Sequence, residues 1–322
     1  MYKFCSSPWE TIAINEKGSI SPCLCSRQHF RGYRGDLLTN DLKTTVNSAW
    51  MQEFKGSIID QSYQFCDHDY CNLVHESPIV ESLDIVNSMP ELPTNLMLQI
   101  DKNCNLKCAS CRNYNIYSPM INQAADRILT RLIEEYANFD QKVTVYCDGS
   151  GDVFASAAYQ KFFRSTDLPA CFKFAIMTNG NLITKNKDLY EKLGDQIDTT
   201  LITLDAATAE TYKEVRGGNF DIVIDGIRML KSMEKLVGLA IVVQKKNYHE
   251  VRKFYEIADQ FGITDISVNL LERWPHMSDQ WWQENSITTN PNIDLKLLLD
   301  DIEFLKERNP WFVQTLHNHN LI

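Results

Sequence analysis

Three cysteines within the stretch Cys104-Asn105-Leu106-Lys107-Cys108-Ala109-Ser110-Cys111 constrain this chain more than any other feature. Their C-x3-C-x2-C spacing follows directly on the apolar run Leu96-Met97-Leu98-Gln99-Ile100. Such a run predicts a strand, and a strand delivers the loop after it to one end of a sheet, where α/β proteins gather their sites. Three thiolates on one tight loop can hold three corners of a cubane iron–sulfur cluster but cannot close the fourth. An iron without a protein ligand is open to a substrate or cofactor, by the logic that separates catalytic from structural zinc. Buried cysteines are common and a zinc knuckle is the competing reading. Zinc loops, however, usually present C-x2-C pairs and four ligands, so this spacing favours the cluster.

The remaining sequence narrows the class. A net charge of −10 lacks the basic footprint of a nucleic-acid binder. No apolar run approaches a membrane span and the N-terminus is not a signal peptide, which predicts a cytoplasmic protein. In that reducing setting the ten cysteines are expected to hold metal rather than form disulfides. A chain of 322 residues can bury one large α/β core and a small extra module.

From about residue 94 to 275 strand and helix patterns alternate, which predicts parallel strands with crossover helices. The strands are read at 96–100, 143–147, 172–177, 200–204, 238–244 and 266–271. Helices are read around 122–139, 154–164, 187–193 and 249–261, with further helical stretches from Ala209 and Phe220. Six βα units are too few to close an eight-stranded barrel, so the fold class expected is α/β, a partial (βα)6 barrel.

The barrel is preceded by a small cysteine-rich module. Thr11–Ile14 and Ser19–Ser21 flank the turn Asn15-Glu16-Lys17-Gly18, a hairpin with Cys5 and Cys23 at its open ends. Cys66 and Cys71 supply a second pair, and four thiolates form a closed site for a cluster or for zinc. Cys25 is an alternative to Cys23, and His68 to a thiolate. Residues 77–93 read as a linker punctuated by Pro78, Pro90 and Pro93. The expected domains are therefore 1–90, 91–275 and a C-terminal tail, 276–322, packing on the barrel. Three tryptophans, Trp274, Trp281 and Trp282, are expected to pack rather than line a cleft. Cys171 is expected to be structural, and His317-Asn318-His319 a solvated terminus.

The Cys104–Cys111 loop resembles the signature of the radical S-adenosylmethionine (SAM) enzymes. The resemblance implies that the open iron chelates SAM and that an electron from the cluster cleaves it to a 5′-deoxyadenosyl radical. It extends to the strand ends. Ser150, Gly151 and Asp152 resemble the family's Gly-Gly-Glu motif for the SAM ammonium group, with aspartate for glutamate. Thr178-Asn179-Gly180 looks like its Thr-Asn-Gly turn, Thr203 lies where a polar residue meets SAM, and Arg216 can pair with the SAM carboxylate in two-point geometry. Ser110 departs from the usual aromatic before the third cysteine, and Arg112 follows it. Cys147, at the end of the second strand, would lie beside SAM, where a thiol can give a hydrogen atom to a substrate radical, although buried thiols are usually inert.

Cys5 to Cys23, as C-x12-G-x4-C, resembles the entry of the SPASM and twitch modules, which carry auxiliary 4Fe–4S clusters. Asp36-Leu37-Leu38 and Ala49–Phe54 look like that module's middle, although the family usually places it after the barrel. The resemblance implies a radical SAM oxidoreductase or maturase with a SAM-binding 4Fe–4S cluster, SAM and an auxiliary 4Fe–4S cluster. A reductase such as flavodoxin or ferredoxin would supply electrons to it. The substrate implied is a peptide or small molecule. Peptide or natural-product maturation is favoured, with epimerisation or dehydrogenation of a sugar or cyclitol as the alternative. A non-catalytic electron carrier or zinc-stapled binding module is the reading from another class.

Overall fold

The computed structural model describes residues 1–23, 34–66, 71, 78–111, 118, 120–147, 150–274, 276–290 and 293–321. The chain forms two compact units, Met1–Asn103 with Ser118–Ile176 and Leu189–Asp198, and Cys104–Tyr117 with Met177–Asp188 and Thr199–Ile322.

The first unit opens with β1 (Tyr2–Lys3), the short helix α1 (Ser7–Glu10) and the hairpin β2 (Thr11–Asn15) and β3 (Ile20–Ser21). Asn15 makes the turn by accepting the N–H groups of Lys17 and Ser19 on its side-chain oxygen, and Gly18 takes the φ of 75° the turn needs. Ile12, Ala13, Ile14 and Ile20 are all fully buried, so the hairpin is interior on both faces. It packs both faces because β2 pairs in parallel with β5 (Asn95–Gln99), Thr11 opposite Asn95 and Asn15 opposite Gln99. The hairpin is thus part of the sheet whose strand β5 leads into the three-cysteine loop.

Two helices follow the hairpin, α2 (Leu42–Val46) and α3 (Ala49–Ile59). The stretch expected as a linker is ordered structure from residue 79 onwards. There β4 (Ile79–Val80) pairs antiparallel with β1, and a 3₁₀ turn covers Leu83–Ser88. Its Leu83, Ile85 and Val86, with Met89, pack on a core of Phe4, Trp9, Ile58, Tyr63 and Cys71. Apolar burial, invisible to a count of prolines, overrides the linker reading.

Beyond β5 come α4 (Gln123–Tyr136), β6 (Val143–Cys147), α5 (Ala157–Arg164) and β7 (Phe172–Thr178). Asn122 and Ser156 cap α4 and α5 by accepting backbone N–H groups of the first turn. The pairings from β2 through β5 and β6 to β7 are all parallel. Phe162, Phe163, Phe172 and Phe174 pack ring against ring, with centroids 5.3–6.4 Å apart.

After α6 (Lys187–Leu193) come β8 (Ile197–Thr203), α7 (Ala209–Arg216), α8 (Phe220–Ser232), β9 (Val237–Val243), α9 (Val251–Gln260) and β10 (Asp265–Leu270). In the second unit β8, β9 and β10 pair in parallel in that order. The strands β5–β10 are the six read from the sequence, with β8 starting earlier, at Ile197. The architecture is α/β, with parallel strands and crossover helices.

The C-terminal residues form α10 (Asp279–Asn285), α11 (Lys296–Asp300), α12 (Ile302–Arg308) and α13 (Pro310–Asn318). His317 lies in α13 rather than in a loose terminus, because Phe312, Val313 and Leu316 bury one face of that helix. Trp274 is 56 % exposed and does not pack as expected, while Trp281 and Trp282 are half-buried. Among the described residues no helix is long and apolar enough to cross a membrane.

Candidate functional site

Cys104 and Cys108 are buried with Leu106 in one small cluster, while Cys111 is exposed. The loop docks on the end of α7, where the Ala109 N–H donates to the Val215 carbonyl at 3.4 Å. The helix stops there because Gly217, at φ 72°, turns its N–H back to the Lys213 carbonyl. Burial pushes the Cys108 thiol up to about 11. The Arg216 guanidinium opposes that rise, and the charges of Cys111 and Cys104 add to it. Three thiols that feel one another and a buried cation suit an anionic thiolate cluster.

Arg216 is the last residue of α7, and its side chain is 13 % exposed. One terminal nitrogen donates to Asp205 Oδ2 at 3.0 Å and the other to Thr203 Oγ1 at 2.6 Å. Thr203 Oγ1 in turn donates to the Thr178 carbonyl at 3.3 Å. Asp205 sits in the left-handed region at φ 56°, a strained conformation for a non-glycine residue. It is held there by the Val242 N–H on Oδ1 (2.7 Å) and by Asn247 Nδ2 on its carbonyl (2.9 Å). Burial raises the Asp205 carboxyl and Arg216 opposes the rise. The two-point pairing with a cofactor carboxylate expected of Arg216 is engaged inside the protein instead. Of its nitrogens, Nε is buried with no hydrogen-bond partner among the described residues.

At the end of β7, Asn179 Nδ2 donates to Asn105 Oδ1 at 2.8 Å and lies 3.8 Å from Cys104 Sγ. The second unit thus brings together Cys104, Cys108, Cys111, Asn179, Thr203 and Arg216.

In the first unit, the turn after β6 is fixed to the backbone immediately before Cys104. Ser150 Oγ donates to the Gln99 carbonyl at 2.8 Å, and the Asp152 N–H to the Asn103 carbonyl at 2.7 Å. Gly151 lies against this backbone, and a Cβ there would stand 2.1 Å from the Asn103 oxygen, so only glycine fits. The Asp152 side chain is buried and accepts the Phe154 N–H at 3.1 Å. Cys147 is fully buried, its sulfur 3.8 Å from the Val145 carbonyl of the same strand.

Sequence reasoning missed Asp101 and Asn103. Asp101 accepts Ser156 Oγ at 2.5 Å, and the Asn103 N–H and Nδ2 at 3.1 and 2.9 Å. Asn103 Oδ1 in turn accepts the Ser118 N–H at 2.7 Å. The signal available was a carboxylate directly ending an apolar strand, one residue type that rarely sits buried without a bracing task.

Cys5, Cys23, Cys66 and Cys71 line one tight pocket, walled by Pro8, Phe54, Ile58 and Tyr63. Burial pushes Cys66 up to about 12, and the charges of Cys23, Cys5 and Cys71 add to the rise. Burial likewise brings Cys5 to about 11, opposed by a backbone hydrogen bond from Ser7. Four soft donors around one small apolar cavity fit a cluster or a tetrahedral metal. Among the described residues no three acidic, histidine or cysteine side chains are already arranged to hold a metal. Cys25, His68, Arg112, Asp148 and Gly149 lie outside the described residues.

Parallel strands ending in a three-thiol loop, with a separate four-thiol cavity, define an iron–sulfur α/β protein. The Radical SAM superfamily model matches residues 99–258, and a second model, SPASM, an iron–sulfur cluster-binding domain, matches residues 5–72. The chain is a radical SAM enzyme with an N-terminal SPASM domain, and its cofactors are those of that family: a 4Fe–4S cluster, SAM and an auxiliary iron–sulfur centre.

The chain is 27 % identical over 191 residues to the AdoMet-dependent heme synthase of Methanosarcina barkeri, covering 57 % of this chain and 52 % of that protein. It is 36 % identical over 104 residues to a probable GTP 3′,8-cyclase of Saccharolobus islandicus, 31 % of this chain and 32 % of the other. Among solved structures, Streptococcus suis SuiB bound to S-adenosylmethionine covers 95 % of this chain and 69 % of its own, at 15 % identity and a TM-score of 0.49. The match thus spans about half the length of the M. barkeri relative.

Proposed function

We propose that this enzyme generates a 5′-deoxyadenosyl radical to abstract hydrogen from a peptide or natural-product precursor. Cys104, Cys108 and Cys111 would hold the SAM-binding cluster, and Cys5, Cys23, Cys66 and Cys71 the auxiliary one. When bound, the first cluster supplies the electron for reductive cleavage of SAM.

The chain's own residues prepare that site. Arg216 neutralises thiolate charge from a buried position, and Asp205 keeps it aimed. The Gly151–Asp152 turn fixes the backbone entering Cys104 through the Asn103 carbonyl. Asn179, Thr203 and Arg216 would hold SAM on the second unit, and Ser150, Gly151 and Asp152 are the residues of the first unit that would serve the same cofactor. Cys147 would act by packing, since its thiol is wholly buried and would need the end of the sheet to open before it could give a hydrogen atom. The observation that carries the reading is the pairing of an open three-thiol loop with a closed four-thiol pocket in one chain. A peptide is favoured because a SPASM domain accompanies the radical SAM domain. Haem synthesis is the second reading, favoured by the M. barkeri relative.

Anaerobic reconstitution with iron counting and EPR tests the proposal. Wild type should bind about eight irons and show a SAM-perturbed signal, while a Cys104/Cys108/Cys111→Ala variant should keep about four. Zinc, or a single cluster indifferent to SAM, would overturn it. Incubation with precursor peptides and with tetrapyrroles, scored by 5′-deoxyadenosine release above the uncoupled rate, separates the two substrate readings.

A further inference from the structure

The amide of Asn179 can face only one way. The backbone N–H of Asn181 points at it from 3.0 Å, and a backbone N–H is always a donor, so the atom it meets is Oδ1. Nδ2 therefore faces the opposite side, toward Asn105 Oδ1 at 2.8 Å and Cys104 Sγ at 3.8 Å. The turn carrying it is locked. Gly180 sits at φ 82° and leaves no room for a side chain, since a Cβ there would strike Val223 at 2.7 Å. The Tyr212 hydroxyl donates to the Asn179 carbonyl at 3.3 Å and accepts Asn181 Nδ2 at 2.5 Å. Cys104 Sγ also receives the Leu106 N–H at 3.5 Å. Asn179 and Cys104 are only 5 % and 9 % exposed, so water competes little for either group.

We propose that Asn179 sets the reduction potential of the cluster by donating its amide hydrogen to the Cys104 thiolate, an inference that rests on Cys104, Cys108 and Cys111 holding that cluster. Reduction adds negative charge that spreads onto the ligating sulfurs. A donor aimed at one of them stabilises the reduced form, and withdrawing it makes reduction harder. This role differs from contact with SAM in that it persists when SAM is absent.

The test is a dithionite redox titration of the reconstituted full chain, followed by EPR without SAM, on wild type, Asn179→Ser and Asn179→Leu. At a fixed poised potential the ratio of reduced to oxidised cluster at the Cys104 site should fall about tenfold in Asn179→Leu, about 59 mV for one electron. Asn179→Ser should fall in between, and the auxiliary cluster should not move. Unchanged potentials in both variants overturn the inference. Failure of both variants to take up iron at this site, with an unaltered circular dichroism spectrum, also overturns it, by making Asn179 a structural residue. Absence of the SAM-site signal in wild type instead sinks the cluster reading beneath it.

Discussion

Around Cys5, Cys23, Cys66 and Cys71 the walls are proline, phenylalanine, isoleucine and tyrosine, and among the described residues no cation opposes the rise of the Cys5 and Cys66 thiols. Around Cys104 and Cys108 a buried arginine opposes burial, and an asparagine amide reaches one sulfur. The thiols are alike, but their neighbours are not. An apolar pocket with four donors closes a site and favours holding charge constant. A three-donor loop beside a cation and an amide is suited to taking up an electron and to keeping a coordination position open.

The strongest way to break this comparison is to empty the pocket. A Cys5/Cys23/Cys66/Cys71→Ala variant should lose about four irons while retaining the SAM-perturbed EPR signal. Loss of both signals together would show that the two sites do not form independently.

Next in size is the buried cation. Arg216→Met leaves buried Asp205 without its counter-charge, which should cost about 3–5 kcal/mol in denaturant unfolding of the metal-free chain. Adding Asp205→Asn should restore most of that loss, and a double variant as unstable as the single would refute the pairing. Gly151→Ala should cost about 1–3 kcal/mol, read as a lower melting temperature, because its new methyl group meets the Asn103 carbonyl.

The two regions also differ in their response to pH. Metal uptake at the pocket must release protons from Cys5 and Cys66, held near 11 and 12. Apparent zinc affinity should therefore climb by up to about tenfold per pH unit for each proton released. The metal-free fold behaves oppositely. A raised thiol pKa stabilises it fully below the ordinary value of 9.0, and that contribution is lost as pH climbs through about 11 to 12. Zinc titrations near pH 6.5 and 8.5 check the first sign, and a flat affinity would contradict it.

The six strands were legible in the sequence because each is a short apolar run bounded by turn residues. The three-cysteine loop was legible because its spacing is chemistry in itself. The convergence of Cys66 and Cys71 on Cys5 and Cys23 was expected from pairing, and all four do line one cavity. The 3₁₀ turn Leu83–Ser88 was missed because its packing partners, Phe4 and Trp9 among them, lie far away in the chain. Arg216 showed the limit in another way. Its residue type suited a cofactor carboxylate, but no pattern could reveal that Asp205 and Thr203 hold its terminal nitrogens. Asp101 and Asn103 were missed because their bonds to Ser156 and Ser118 exist only once the chain has folded.

The parallel pairing of β2 with β5 has a consequence for how the protein is made. During synthesis the hairpin at residues 11–21 emerges long before residues 95–99, so one edge of β2 must wait unpaired until the ribosome has released β5. The thiols at Cys5 and Cys23 are tethered to that waiting hairpin. The sheet around those two thiols is therefore completed only once residue 99 has been translated.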